Sequence, residues 1–262
     1  MDKIYSKDNS IIKHTRKLSQ KKYRIQKNQF LVEGFRFVSE ALKSDFQVPV
    51  ILLSERVQNK WLTLESRYNI CEDTKICLLE DKLFNYISNT DNPQGIAAVV
   101  NNKKINVKNE DGFYILVDKV QDPGNMGTII RTADAAGALG ILLTKGTVDV
   151  YNEKTLRSTM GSIFHIPVIQ DDSLEKLNLL KKHGFKLIAS SLDTDKNFYD
   201  LDLNKKVIIA LGNEGNGISS QILDLSDIKI KIPMPGNAES LNVSIAGAVI
   251  MFEVVRQINT EV

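Results

Sequence analysis

Three short segments carry side chains whose types and spacing could do chemistry. The first, DPGNMGTIIR (122–131), puts a Pro-Gly turn before a helix with Asn125 as a good cap. Free N–H groups at such a helix start suit an anion such as phosphate, and Arg131 follows two turns later. The second, GNEGNGIS (212–219), places three glycines and Glu214 after an apolar strand, which signals close backbone approach or positive φ. Its order is not the G-x-G-x-x-G of dinucleotide sites, so alone it is a generic ligand loop or a plain tight turn. The third, IPMPGNAESLNVS (232–244), runs two prolines and Gly236 into Asn242 and Ser244, at the mouth of an almost wholly apolar helix. Taken locally, that amide and hydroxyl are helix caps.

The elements around these segments set where they can lie. From Phe113 onward, strands are predicted at 113–120, 140–144, 164–169, 186–192, 207–212 and 228–233. Helices are predicted after the DPGN turn and over 151–162, 174–184 and 240–258. Repeated β-loop-α order means an α/β fold with a mainly parallel sheet covered on both faces. Ligands then bind past the carboxyl ends of strands, in the loops after Val120, Thr144, Leu192, Gly212 and Pro233.

The front of the chain alternates strands (30–34, 48–54, 75–80, 94–100) with amphipathic helices, a smaller α/β unit behind one basic, mostly surface-lying helix over 10–27. The polar stretch 101–112 separates the two. The expected domains are therefore 1–105 and 113–262, with 106–112 as linker.

At 42% hydrophobic and 25% charged residues, the composition is that of a soluble globular protein. Two cysteines, no apolar leader and no long apolar run point to a cytoplasmic protein that does not meet a membrane. The net charge of +2 conceals an asymmetry: residues 1–27 hold nine basic and two acidic side chains. A basic end on an otherwise balanced body fits a polyanion partner, although a solvated basic helix face would look the same. His14, His165 and His183 lack metal-ligand spacing, so no metal is expected. No G-x-S-x-G elbow is present, and His165 reads as a packed or substrate-side residue.

Together and in order, the three segments resemble the three motifs of the SpoU (TrmH-like) branch of the SPOUT RNA methyltransferases. The matching residues are N-x-G-x-x-x-R at Asn125–Arg131, LGNEGNGIS at 211–219, and IPMPGNAESLNVS. LVEGFRFVSEAL (31–42) and NPQGIAAVV (92–100) resemble the family's L30e-like substrate-binding domain. The resemblance implies a deep C-terminal trefoil knot, a homodimer, S-adenosylmethionine as methyl donor, and methylation of a ribose 2′-oxygen, in ribosomal (23S) RNA first of all. Transfer RNA as substrate, or a non-catalytic assembly factor on the same fold, are the alternatives it leaves.

By matching position, Gly212, Ile232 and Leu241 would line the donor site, with Leu211, Met234 and Asn242 beside them. Asn125, Arg131, Glu214, Asn242 and Ser244 would form the catalytic cluster. The family's arginine has been proposed as a base, but a guanidinium stays protonated, and a phosphate clamp is the physically cheaper role for Arg131. Lys13, Arg16, Lys17, Lys21, Lys22, Arg24, Arg36 and Arg157 are the basic side chains expected to meet RNA.

Overall fold

The computed structural model describes residues 1–262 apart from Asn69, Leu192, Asp193, Glu261 and Val262. The expected loop after Leu192 therefore begins outside the described residues. The chain folds as two compact units, one of residues 1–103 with 151–164, the other of 104–150 with 165–262.

The first unit opens with β1 (Asp2–Ile4), α1 (Ser10–Lys17) and α2 (Lys21–Lys27), then β2 (Gln29–Glu33) and α3 (Phe35–Lys43). It continues through β3 (Val50–Ser54), α4 (Gln58–Glu65), β4 (Lys75–Leu79), α5 (Asp81–Ile87) and β5 (Ile96–Asn101). Its five-stranded sheet runs β1-β4-β3-β5-β2, parallel on the β1 side and antiparallel on the β2 side.

One expectation needs correction here. The basic segment 10–27 is two helices, broken between Lys17 and Lys21, with Asn28 in the left-handed region (φ 52°) closing the second. It lies mostly at the surface, as expected, and is anchored there by Ile12 and Leu18, which are fully buried. The strand β1, too short to show alternation, gave no signal in the sequence.

The second unit begins with β6 (Phe113–Val117), α6 (Pro123–Ala135) and β7 (Gly140–Leu143). The helix α7 (Glu153–Thr159) that follows belongs to the first unit, against the expectation from sequence order. Aromatic packing is the reason: Phe164 lies against Phe46 and Phe37, with ring centroids 5.3 and 5.8 Å away, and Tyr151 stacks on Phe30 at 4.5 Å. The expected linker 106–112 falls instead within the second unit. Ile105 and Val107 pack on its core, and the Lys108 N–H donates to the Tyr114 hydroxyl at 2.7 Å.

The chain returns as β8 (Val168–Gln170), α8 (Glu175–Lys182), β9 (Lys186–Ser190), β10 (Val207–Leu211), α9 (Ser220–Leu225), β11 (Ile228–Ile230) and α10 (Val243–Thr260). These strands form one wholly parallel six-stranded sheet in the order β11-β9-β10-β6-β7-β8. The central strands β6 and β10 are buried at every residue, as a sheet covered on both faces requires. Of the run 164–169, expected as a strand or extended segment, Phe164 ends a short 3-10 turn (Ser162–Phe164) and only Val168 and Ile169 fall in a strand, β8.

Candidate active site

The three chemically promising segments meet past the carboxyl ends of β6 and β10. Asp122, not Asn125, caps α6: its carboxylate accepts the Asn125 N–H at 2.8 Å. That frees the Asn125 side chain. Its Nδ2 donates to Glu214 Oε1 at 3.0 Å, and its Oδ1 accepts from Asn242 Nδ2 at 3.0 Å. Asn242 Oδ1 in turn accepts the Ser244 N–H at 2.9 Å and the Ser244 hydroxyl at 2.7 Å. The direction of every bond is forced from one end. An ionised carboxylate only accepts, so Asn125 must present its NH₂ to Glu214, which leaves amide oxygens for Asn242 and then for Ser244.

The carboxylate end is anchored as firmly. Glu214 also accepts the N–H groups of Gln121 (3.2 Å) and Asp122 (3.1 Å). Burial pushes its carboxyl up, but the bonds from Asn125, from its own N–H, and from Gln121 and Asp122 outweigh it and hold the group below the usual glutamate range. Asn213 folds the loop back on itself by accepting the N–H groups of Gly215 and Asn216, each at 3.0 Å. Its Nδ2 donates to the Lys119 carbonyl at 2.9 Å, tying this loop to the end of β6 a second time.

Sequence reasoning missed one residue of this framework. Asp118 is fully buried and accepts from Thr144 Oγ1 at 2.8 Å and from the Ser219 N–H at 2.7 Å. It thereby joins the ends of β6 and β7 to the turn that starts α9. The signal was present: an acid inside the apolar run FYILVDKV cannot be buried without partners.

Leu211 and Gly212 are buried at the end of β10, Ile232 and Met234 are half-buried, and Leu241 is more exposed. Among the described residues, no hydrogen bond engages the peptide groups of Gly212, Ile232, Met234 or Leu241. A glycine-proline loop that leaves peptide donors and acceptors unpaired beside apolar side chains is the lining an adenosyl group needs. The donor set therefore fits the methyl donor implied by the sequence. Among the described residues, no group of three or more His, Cys, Asp and Glu could hold a metal ion, and no helix is long and apolar enough to cross a membrane.

Other expected site residues lie elsewhere. The Arg131 side chain, exposed on α6, makes no hydrogen bond or ion pair among the described residues and is not part of the polar chain. His165 faces Asp134 at 3.1 Å, also outside it. Lys13, Arg16, Lys17, Lys21, Lys22, Arg36 and Arg157 are exposed. Lys13 pairs with Asp8 at 2.7 Å, Arg157 with Glu153 at 3.7 Å, and Arg16 donates to Asn89 at 2.7 Å. Arg24 is a correction: it is buried, and its guanidinium donates to the carbonyls of Leu18 (2.7 Å) and Ser19 (2.8 Å). It fastens the turn between α1 and α2 instead of standing in solvent.

Residues 112–252 match the SpoU rRNA methylase family, and residues 9–98 match the MRM3-like substrate-binding domain. The 23S rRNA (guanosine(2553)-2′-O)-methyltransferase RlmP of Bacillus subtilis is 37% identical over 96% of this chain and 98% of its own length. A 23S rRNA (uridine(2479)-2′-O)-methyltransferase of Streptomyces viridochromogenes is 31% identical over 92% and 87%. In structure, the AdoMet-bound rRNA methyltransferase of Sinorhizobium meliloti superposes with a TM-score of 0.85 at 30% identity, covering 97% of both chains. The all-parallel sheet, the three loops joined through Asn125 and the match across both halves lead to one assignment: the chain belongs to the SpoU rRNA methylase family.

Proposed function

We propose that this protein transfers a methyl group from S-adenosylmethionine to a ribose 2′-oxygen of 23S ribosomal RNA. The observation that carries this reading is the continuous polar chain Ser244–Asn242–Asn125–Glu214, which joins three loops that are far apart in sequence. Two relatives that match this chain over nearly its whole length are named as 23S rRNA 2′-O-methyltransferases, which favours ribosomal over transfer RNA.

When bound, the donor supplies an electrophilic methyl on a sulfonium. The protein's tasks are then to hold it and to align the ribose oxygen, whose proton passes to water as the oxygen takes the methyl and the donor departs as its thioether. Leu211, Gly212, Ile232, Met234 and Leu241 hold the donor by apolar contact and peptide hydrogen bonds. Asn125, Glu214, Asn242 and Ser244 fix the loop geometry and offer polar groups to the ribose. Arg131, free of other partners among the described residues, clamps an RNA phosphate with its planar fork. A C-terminal trefoil knot, an L30e-like first unit, a cytoplasmic location and a homodimer complete the reading. Ile245 and Phe252, half exposed and seven residues apart on α10, support a second copy packing there.

The direct test is transfer of labelled methyl from S-adenosylmethionine to ribosomal and transfer RNA, followed by mapping of the product. Label at a ribose 2′-oxygen of 23S RNA is expected, and donor binding without label in either RNA would overturn the reading. RNA affinity should also depend on the exposed lysines of α1 and α2. Because Ile12 and Leu18 are core residues, point changes are the sound probe here, not truncation. Replacing Lys17, Lys21 and Lys22 by Gln should flatten the log Kd against log salt slope by about 2–3 while donor affinity holds, each phosphate contact contributing roughly 0.7–0.9. An unchanged slope would remove these lysines from the interface.

A further inference from the structure

The first unit contains a cavity of about 550 Å³ bounded by the end of β2, the turn after α5 and the start of α7. That volume lies within the roughly 300–1,000 Å³ of ligand sites. Phe37 and Leu156 give it apolar walls, while Glu33, Thr90, Asn92 and Gln94 bring polar groups.

Two of these groups are held in complementary states. Glu33 is half-buried, and its carboxylate is oriented by hydroxyls: Thr90 Oγ1 donates to Oε1 at 2.7 Å and Ser88 Oγ to Oε2 at 2.8 Å. A carboxylate offers about four acceptor positions and two hydroxyl protons occupy two of them, so each oxygen keeps capacity for one further donor. Gln94 Oε1 is taken by the Phe35 N–H at 3.0 Å, which leaves its NH₂ as a donor. Both side chains line the same cavity. An acceptor that takes two N–H groups beside a donor is the complement of a guanine edge, which shows N1–H, the 2-amino group and O6.

The rim has the opposite character. Arg157 lines the cavity near Glu153, and Arg16 reaches Asn89 on its edge. Arg16 also lies 5.7 Å from the Tyr86 ring centroid, and Lys7 lies 4.7 Å from the same ring, which is 40% exposed. Carboxylates inside repel a phosphate. Burial, and then the charge of Glu33, push the Glu153 carboxyl up, so the interior does not welcome another anion. Cations and an aromatic face outside attract a sugar-phosphate chain and a stacked base.

We propose that the first unit binds one unpaired guanine of the RNA in this cavity, read by Glu33 and Gln94, with Tyr86 stacking a neighbouring base. The idea rests on RNA being the substrate, and gives the first unit a specificity-determining pocket in addition to its basic surface.

The test measures binding of fluorescent RNA hairpins to the full-length protein. A loop with one guanine is compared with the same loop carrying inosine, which lacks the 2-amino group, or adenine, and with free GMP. Wild-type protein should favour guanine over both replacements by about tenfold, the scale of one good base contact. Glu33→Gln should bring that ratio below about threefold. Gln94→Glu keeps an acceptor for the Phe35 N–H but loses the donor to O6, and should weaken the guanine loop alone. Absence of any guanine preference in wild type, or a preference that survives both variants, overturns the pocket. Free GMP binding as tightly as the RNA loop overturns the RNA assignment. Methyl transfer to 23S RNA, run in parallel, separates the two readings: transfer without guanine discrimination sinks only the pocket, and discrimination without transfer sinks only the proposed reaction.

Discussion

Asn125→Asp should lower kcat for methyl transfer about a hundredfold, and by more than Asn125→Ala. The wild-type amide is the hinge of the polar chain, donating to Glu214 at 3.0 Å and accepting from Asn242 at 3.0 Å. Aspartate keeps the shape and the acceptor but sets a second carboxylate against Glu214, whose ionised form the native contacts favour. Two carboxylates that close do not both ionise comfortably, so the loops either part or retain a proton. A displacement of about 1 Å at a reacting centre can cost a hundredfold.

The pH dependence distinguishes this account from simple misfolding. The folded-state carboxyl of Glu214 in the wild type lies below its unfolded value. Its contribution to stability is therefore present above the unfolded value and is lost as pH falls through the folded one. In Asn125→Asp the sign reverses, because a proton shared by the pair relieves the repulsion. Its activity relative to wild type should rise as pH is lowered from about 8 towards 5. A constant ratio across that window would show that charge is not the cause.

Gly212→Ala should abolish measurable methyl-donor binding and destabilise the second unit by about 1–3 kcal/mol, the usual cost of overpacking. A Cβ at this position would run into the Gly217 carbonyl carbon and the Ile218 nitrogen, and would lie 2.5 Å from the Gly217 oxygen. These are backbone atoms, so no side chain can swing aside. The antiparallel pair Asn213↔Gly217, with its two hydrogen bonds of 2.8 and 2.9 Å, would have to open. Glu214 lies between those residues and would be carried away from Asn125. Calorimetric titration with S-adenosylmethionine and a thermal melt check both parts, and a variant that binds the donor normally would show that this approach does not shape the site.

Much of the second unit could be read in the sequence because its strands are covered on both faces. Continuous apolar runs such as FYILV and VIIAL announce buried parallel strands, and the loops after them then had to be where ligands go. What stayed hidden depended on partners distant in sequence. Asn125 looked like a helix cap because Asn is a good one, yet Asp122 three residues earlier takes that role. Arg24 looked like its basic neighbours, and only the carbonyls at the end of α1 reveal its structural use. No local pattern could place 151–164, since its destination is set by the aromatic rings of Phe30, Phe37 and Phe46.

That segment also bears on how the molecule is made. Emerging from the ribosome amino end first, the chain exposes residues 1–103 long before Phe164 follows. Until then Phe30, Phe37 and Phe46 lack the ring that fills the space among them. The first unit can start early but cannot finish early: its last piece arrives only after β6, α6 and β7 have been synthesised. Maturation of the two halves is thus coupled by the order of synthesis, and no single cut in the chain yields two whole units.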